Sequence, residues 1–164
     1  MTTRYFGAPI TRNEDQKLLS GRALFVDDVE LPGMLHAAFV RSAYAHARIR
    51  GIDTGEAVKH EGVIAVYTAI DLGDYWQPGP LLVPPPPVKD SIFNERTQVP
   101  LAKDKVRHVG EPIAVVIARD RYIAEDAAAK VIVDYEPLPA VVDLERALQS
   151  SSALVYDDLG SNVS

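Results

Sequence analysis

The sequence contains no cysteine. This absence excludes disulfide bonds, thiolate metal sites, iron–sulfur ligation and a cysteine nucleophile within the chain. The stretch Met1–Pro9 has no apolar run of the kind found in a signal peptide, and no stretch approaches the roughly 20 apolar residues of a membrane-spanning helix. We therefore expect a cytoplasmic protein without a membrane partner.

Positive charge is also scarce. The chain has 17 lysines and arginines against 23 aspartates and glutamates, which gives a formal net charge of −6. A mildly acidic domain binds polyanions poorly, so nucleic acid is not an expected partner. Hydrophobic residues make up 47% and charged residues 24%, which excludes a disordered chain, a collagen-like repeat and a coiled coil. The length of 164 residues fits one domain with one sizeable core.

Short apolar runs between turn-forming residues predict the strands. These runs lie at residues 22–26, 34–40, the first part of 63–72, 112–118 and 131–135, and residues 45–52 and 105–108 are further candidate strands. The turn formers between the first two runs indicate an antiparallel hairpin. The run at 112–118 predicts a strongly buried strand.

Helices are expected at residues 53–62, 121–130 and 144–148. Asp53 and Asp143 precede the first and the third of these helices as N-cap residues, and Glu56 would complete a capping box with Asp53. The second helix has a stripe of mostly small residues that would let it lie close to a sheet. The stripe consists of Ile123, Ala127, Lys130 and Val131, with Ala124 and Ala128 beside it.

Three segments lack these patterns. Residues 1–20 are polar and irregular and should form an arm that a neighbour orders. Residues 73–100 should form a long loop with a polyproline II segment at Pro84–Pro87. Residues 150–164 should form a polar tail that closes no structure. Because strands and helices are mixed without a strict βαβ alternation, we predict an α+β fold in one domain over residues 1–164.

Asp53-Thr54-Gly55 has the sequence of an aspartic protease catalytic loop. In that chemistry two such aspartates share one proton, so the single copy in this chain would require a homodimer. The residues that follow are charged and polar, whereas the protease needs an apolar shell. We therefore favour a helix N-cap as the role of Asp53.

The other polar candidates favour structural roles. Neighbouring carboxylates point apart in an extended chain, so Asp27-Asp28 and Asp157-Asp158 favour turn and surface positions. The histidines form no H-x-H or H-x-x-x-H pair, and the sequence does not support a zinc site. The four histidines are His36, His46, His60 and His108.

The remaining motifs favour contacts and turns. Pro84–Pro87 with Lys89 fits the P-x-x-P-x-K pattern of an SH3 ligand, although we favour a stiff loop or an interface strap. Trp76 and Tyr75 could form a small apolar contact surface. Gly110 predicts a positive-φ turn into the buried strand, since no phosphate-binding glycine pattern surrounds it. The residues themselves therefore indicate no catalytic, cofactor-binding or metal-binding group.

A series of motifs runs along nearly the whole chain in a constant order. They are Arg12-x-x-Asp15-x-x-Leu18-Leu19-x-Gly21-x-Ala23-x-Phe25-x-x-Asp28, Leu31-Pro32-Gly33-Met34-Leu35-His36-Ala37-Ala38, Val40-Arg41-Ser42, Ala45-His46-Ala47-Arg48-Ile49, Ile52-Asp53, Gly62-Val63, Asp71-Leu72, Val106-x-x-Val109-Gly110-Glu111-Pro112-Ile113-Ala114-Val115-Val116, Ala124-Glu125-Asp126-Ala127-Ala128 and Val133-x-Tyr135-Glu136-Pro137-Leu138-Pro139-Ala140-Val141-Val142-Asp143. This series resembles the α/β-hammerhead domain of the aldehyde oxidase and xanthine dehydrogenase family. It is most similar to the molybdenum-binding large chain of bacterial carbon monoxide dehydrogenase-type molybdenum hydroxylases.

The resemblance implies a mixed sheet with two or three short helices packed on it. It also implies a component of a molybdenum hydroxylase or dehydrogenase, which oxidises an aldehyde, an N-heterocycle or carbon monoxide with oxygen from water. This component would have a structural and subunit-packing role and would be inactive alone. The full enzyme would hold molybdenum–molybdopterin cytosine dinucleotide, with iron–sulfur clusters and FAD on partner domains or subunits.

The implied partners are the molybdopterin-binding region or chain, the FAD subunit and the iron–sulfur subunit. The family's glycine-rich cofactor-binding segments and its catalytic glutamate have no counterpart in this sequence, and residues 150–164 would lead toward that region. We therefore transfer no catalytic, cofactor-binding or metal-binding residue, and we expect this chain alone to bind no cofactor. The alternative is a free-standing binding or scaffold module that works without molybdenum.

Overall fold

The structure is a computed structural model that describes residue 7 and residues 9–80 and 97–163. Their contacts divide them into two compact units, one ending at Met34 and the other beginning at Leu35. Each unit is described by itself. None of the helices in the described ranges combines the length and the apolar character that crossing a bilayer requires.

The first unit contains one short helix, α1 (Asp15–Leu19), and a 3-10 turn at Val26–Asp28. The helix falls within residues 1–20, which the sequence predicts to be irregular. The backbone N–H of Arg12 donates to Oδ2 of Asp15 (3.1 Å) and fixes the chain just before the helix. No described residue of this unit is buried, so the unit has no core of its own.

The predicted hairpin between residues 22–26 and 34–40 is wrong. The first run forms no strand, because the backbone N–H of Phe25 donates to Oδ2 of Asp28 (2.8 Å) and closes a local turn. A side chain that captures a nearby N–H competes with strand pairing in this way. The second run does form a strand, β1 (His36–Arg41), and its partner comes from much later in the chain.

The second unit is built from two three-stranded sheets. Besides β1, its strands are β2 (Ala47–Asp53), β3 (Val63–Thr68), β4 (Lys105–Val106), β5 (Pro112–Ala118) and β6 (Ile132–Pro137). The first sheet has the order β1-β5-β3 and the second has the order β4-β2-β6. All strand pairs among the described residues are antiparallel. The predicted α+β class is confirmed, with the strands divided between two sheets.

The described residues of the second unit also form three short α-helices. They are α2 (Gly55–Val58), α3 (Arg121–Ala128) and α4 (Leu144–Ala147). α3 packs on the first sheet and lies beside α2. It begins where Oδ1 of Asp120 accepts the backbone N–H of Tyr122 (2.7 Å). α4 begins as predicted, because Oδ1 of Asp143 accepts the backbone N–H of Arg146 (2.9 Å).

The predicted N-cap role of Asp53 and its capping box with Glu56 are wrong, because Thr54 is the N-cap residue of α2. Asp53 is the last residue of β2, and the helix begins two residues later at Gly55. Oδ1 of Asp53 accepts the backbone N–H of Gly55 (2.8 Å) in a turn between strand and helix. Glu56 instead pairs with Lys59 at 3.0 Å.

Small aliphatic side chains form the core. The cluster between the first sheet and the helices consists of Ala57, Ala114, Val116, Ala127 and Val131. A second cluster joins the two sheets and consists of Ala47, Ala102, Val106 and Ile113. The close approach predicted for α3 is confirmed. Lys130 is the exception in the predicted stripe: α3 ends at Ala128, so Lys130 is exposed and its Nζ lies 2.7 Å from Nδ1 of His60.

Candidate functional site

A cleft of about 430 Å³ beside β4 is the candidate site of the second unit. It is lined by the loop around Trp76, by residues 97–99, and by Lys103, Asp104, Arg107, His108 and Glu111. The C-terminal segment lines it with Tyr156 and Asp158. The volume lies within the usual range of small-molecule sites. What the cleft can do therefore depends on the groups that its polar residues already bind.

Glu111 is a buried carboxylate at this cleft, 7% exposed. Its Oε2 accepts the backbone N–H of Arg107 and lies 3.7 Å from Nδ1 of His108. This bond takes the Arg107 N–H out of strand pairing, so β4 ends at Val106 although the sequence predicts a strand over residues 105–108. The geometry gives Glu111 the role of organising the turn that leads into β5.

Gly110 confirms the predicted positive-φ turn, with a φ of 84°. Its backbone N–H donates to the carbonyl of Ser42 (2.8 Å), and its own carbonyl accepts from Nη1 of Arg41 (2.9 Å). A residue with a Cβ adopts this conformation only with strain. The turn therefore joins the ends of β1 and β5 through backbone groups.

Two aromatic rings at the cleft each face a cation. The guanidinium of Arg107 lies 4.7 Å from the Tyr156 ring centroid, and Nζ of Lys103 lies 5.4 Å from that of Trp76. Nε1 of Trp76 donates to the carbonyl of Leu101 (2.7 Å). The Nε atom of Arg107 has no hydrogen-bond partner but is fully buried, so a molecule in the cleft does not reach it. Trp76 is thus half-buried in the wall, whereas Tyr75 is exposed.

The C-terminal segment folds back on β4, and the expectation of a tail that closes nothing is wrong. Lys105 is buried, and its Nζ donates to the carbonyl of Leu154 (3.2 Å) and to Oδ2 of Asp157 (3.1 Å). A buried ammonium needs such acceptors, and the tail supplies both. The hydrogen bond from Lys105, with its charge, lowers the pKa of the Asp157 carboxyl below the ordinary value.

The histidines are placed separately. His46 is buried, with Nδ1 2.7 Å from the carbonyl of Pro139, and His60 contacts Lys130. Hydrogen-bonded roles are thus confirmed for these two, while His108 faces Glu111 and His36 begins β1. In the part of the chain that the structure describes, no three His, Asp or Glu side chains are grouped closely enough to hold a metal ion.

The carboxylate candidates have turn and surface roles. Asp28 accepts the Phe25 N–H, Asp53 accepts the Gly55 N–H, and the exposed Asp157 pairs with the buried Lys105. The P-x-x-P-x-K pattern at Pro84–Pro87 and Lys89 lies outside the described residues.

The sequence patterns did not indicate that Glu111 organises the turn before β5 or that Lys105 holds the C-terminal segment. The available signals were a carboxylate directly after the turn glycine, and a lysine at the start of an apolar run. Neither signal specifies its partner, because the Leu154 and Asp157 that satisfy Lys105 lie about fifty residues away in sequence.

Comparisons with known proteins define the class of the fold. Residues 20–139 match the model of a family described as aldehyde oxidase and xanthine dehydrogenase, a/b hammerhead domain. Quinoline 2-oxidoreductase from Pseudomonas putida 86 matches 93% of this chain at 41% identity with a TM-score of 0.80. The fold is therefore an α/β hammerhead, and the chain belongs to the aldehyde oxidase and xanthine dehydrogenase family, as the motifs indicated.

Two relatives are similar to this chain over most of its length. The carbon monoxide dehydrogenase large chain of Afipia carboxidovorans is 43% identical over 153 residues, which are 93% of this chain and 18% of the relative. The 6-hydroxypseudooxynicotine dehydrogenase complex subunit gamma of Paenarthrobacter nicotinovorans is 42% identical over 146 residues, which are 88% of this chain and 18% of the relative. The match to quinoline 2-oxidoreductase covers 19% of that chain. This chain thus spans less than a fifth of the length of each of these relatives.

The cleft does not fit the molybdenum–pterin group that the family implies. Glu111 is bonded to a backbone N–H, and Trp76 to a backbone carbonyl. Arg107 donates from Nη1 to the carbonyl of Lys105 (3.2 Å) and stacks on Tyr156. These side chains already bind groups of this chain and do not form a binding surface for the molybdenum–pterin group. No chemical step is assigned to them.

Proposed function

We propose that this chain is a component of a molybdenum hydroxylase or dehydrogenase, in which it packs against other parts and is not catalytic alone. One observation carries the proposal: two buried charged side chains, Glu111 at the cleft and Lys105 beside it, bind the chain's own backbone. Glu111 binds the Arg107 backbone, and Lys105 binds the C-terminal segment. The family match and the oxidoreductase relatives support the enzyme class.

The proposed reaction is oxidation of an aldehyde, an N-heterocycle or carbon monoxide with oxygen from water. The molybdenum–molybdopterin cytosine dinucleotide of the full enzyme would supply that chemistry. The proposed partners are a molybdopterin-binding region or chain, an FAD subunit and an iron–sulfur subunit, in the cytoplasm. We also propose that residues 1–164 act there as one hammerhead domain, with residues 1–20 as an arm that a neighbour orders.

The proposed role of this chain's residues is structural. Gly110 and Glu111 fix the connection between the two sheets, and Lys105 fixes the C-terminal segment on β4. In the first unit, the apolar side chains of Leu19, Leu24 and Val26 are more than four-fifths exposed. Exposed apolar surface of this kind is typical of a segment that another surface covers.

Affinity capture from the native host tests the proposal. The chain is tagged, and the captured material is analysed for its polypeptides, molybdenum, iron and flavin. We expect molybdenum to be recovered with larger polypeptide, together with iron and flavin. Recovery of the chain by itself and free of metal would contradict the proposal and favour the alternative of a binding or scaffold module without molybdenum.

A further inference from the structure

One face of the first sheet is apolar and lies opposite the face on which α2 and α3 pack. The strand register places Phe39 and Tyr67 on either side of Val115. A second row places Ala37 and Ala65 on either side of Ile117. Phe39 is 47% exposed and Tyr67 is 43% exposed. The apolar sheet face is defined by these six residues, Phe39, Val115, Tyr67, Ala37, Ile117 and Ala65.

The opposite face of the same sheet is covered. Successive side chains on a strand point to opposite faces. The alternate residues Val40, Val116 and Val66 pack in the core cluster with Ala57 of α2 and Ala127 of α3. The apolar sheet face therefore points away from both helices.

The sequence of β5 corresponds to a strand with cover on both sides. The strand reads PIAVVIA from Pro112 to Ala118, with no polar residue. Sheets with one solvated face usually alternate apolar and polar residues, whereas strands buried on both faces read as continuous apolar runs. The outward positions of β5 are Val115 and Ile117, where a solvated face would have polar side chains. A second layer is therefore expected on this face.

We propose that the apolar sheet face packs against the remaining, larger part of a molybdenum hydroxylase large chain. This inference rests on the proposed function. In the three relatives compared, the matching domain is 18–19% of a longer chain. A layer from the same large chain is held at high effective concentration beside the domain, unlike a second copy or a separate subunit. None of the six residues is charged, and the Arg41 guanidinium lies over the Phe39 ring, 5.5 Å from its centroid. The occupant must therefore present apolar side chains.

Site-specific photo-crosslinking in the native host tests the inference. The photoreactive residue p-benzoylphenylalanine replaces Phe39 or Tyr67 in the tagged chain. It replaces Tyr122 as the matched control, because that aromatic residue is 75% exposed on α3, which covers the other face. After irradiation, the crosslinked peptides are identified by mass spectrometry.

We expect positions 39 and 67 to crosslink to the part of the large chain that carries molybdenum, several-fold more than position 122. Crosslinks to a second copy, crosslinks to a different subunit, or a yield no higher than that of position 122 would each overturn the inference. Molybdenum analysis of the same captured material separates this failure from a failure of the proposed function.

A charge substitution gives an independent readout. Tyr67→Asp would bury a carboxylate under the second layer, whereas Tyr122→Asp would leave its carboxylate in water. We expect the first variant to lose several-fold of its association with molybdenum-carrying polypeptide, and the control to retain it. Equal association of the two variants, with both folded by circular dichroism, would overturn the inference.

Discussion

Replacing Gly62 with alanine should destabilise the second unit measurably. Gly62 has a φ of 87°, a conformation that costs a residue with a Cβ about 1 kcal/mol or more. A Cβ at this position would also lie 2.8 Å from Cδ1 of Ile123. That atom ends a flexible side chain, so we take the low end of the overpacking cost, about 1 kcal/mol. The expected loss is about 2 kcal/mol, or a fall in Tm of about 4–8 °C for a chain of this size.

Urea unfolding followed by circular dichroism measures this loss, and Gly51→Ala is its control. Gly51 lies in β2, and no atom lies within 4 Å of where its Cβ would be. Its substitution should change the free energy of unfolding by less than about 0.5 kcal/mol. Adding Ile123→Val to Gly62→Ala removes the clashing atom, so the double variant should lose less than the sum of the single losses. Equal stability of the two alanine variants would refute the described geometry of this turn.

Other predictions concern the cleft, the tail and a helix end. Glu111→Ala should cost about 1–3 kcal/mol in urea unfolding, because it leaves the part-buried Arg107 N–H without its acceptor, whereas Glu111→Gln keeps an acceptor oxygen and should cost less. The Lys105 bond lowers the folded-state pKa of Asp157, so its stabilisation is present above the ordinary aspartate pKa and is lost as the pH falls through the lowered value. An NMR titration should show the lowered pKa, and Lys105→Met should raise it toward the ordinary value. Asp143→Ala should cost about 1 kcal/mol in urea unfolding through the lost cap of α4, and an unchanged midpoint would contradict that role.

Local patterns predicted much of the second unit. The apolar run of β5 predicted a buried strand, and Asp143 predicted the start of α4. Both features depend on side chains that are close in sequence. The small residues of α3 predicted its close packing on a sheet. The family resemblance also came from sequence motifs, and the comparisons confirm it.

The errors arose where a single side chain outcompeted the local pattern. The Asp28 carboxylate captures the Phe25 N–H, so an apolar run of strand length closes a turn instead. Glu111 removes the Arg107 N–H from β4 and shortens it. The docking of the tail depends on Lys105, whose partners lie about fifty residues away. Such long-range pairs have no periodicity by which a sequence could show them.

A turnover assay tests most directly the claim that this chain is a component of a molybdenum hydroxylase and is not catalytic alone. The complex captured from the native host and the separated chain are each given carbon monoxide, aldehydes and N-heterocycles, and reduction of an electron-accepting dye is followed. We expect substrate-dependent reduction of the dye by the molybdenum-containing complex and no reduction by the separated chain. Equal turnover by the metal-free chain, or a captured chain without molybdenum or turnover, would contradict it.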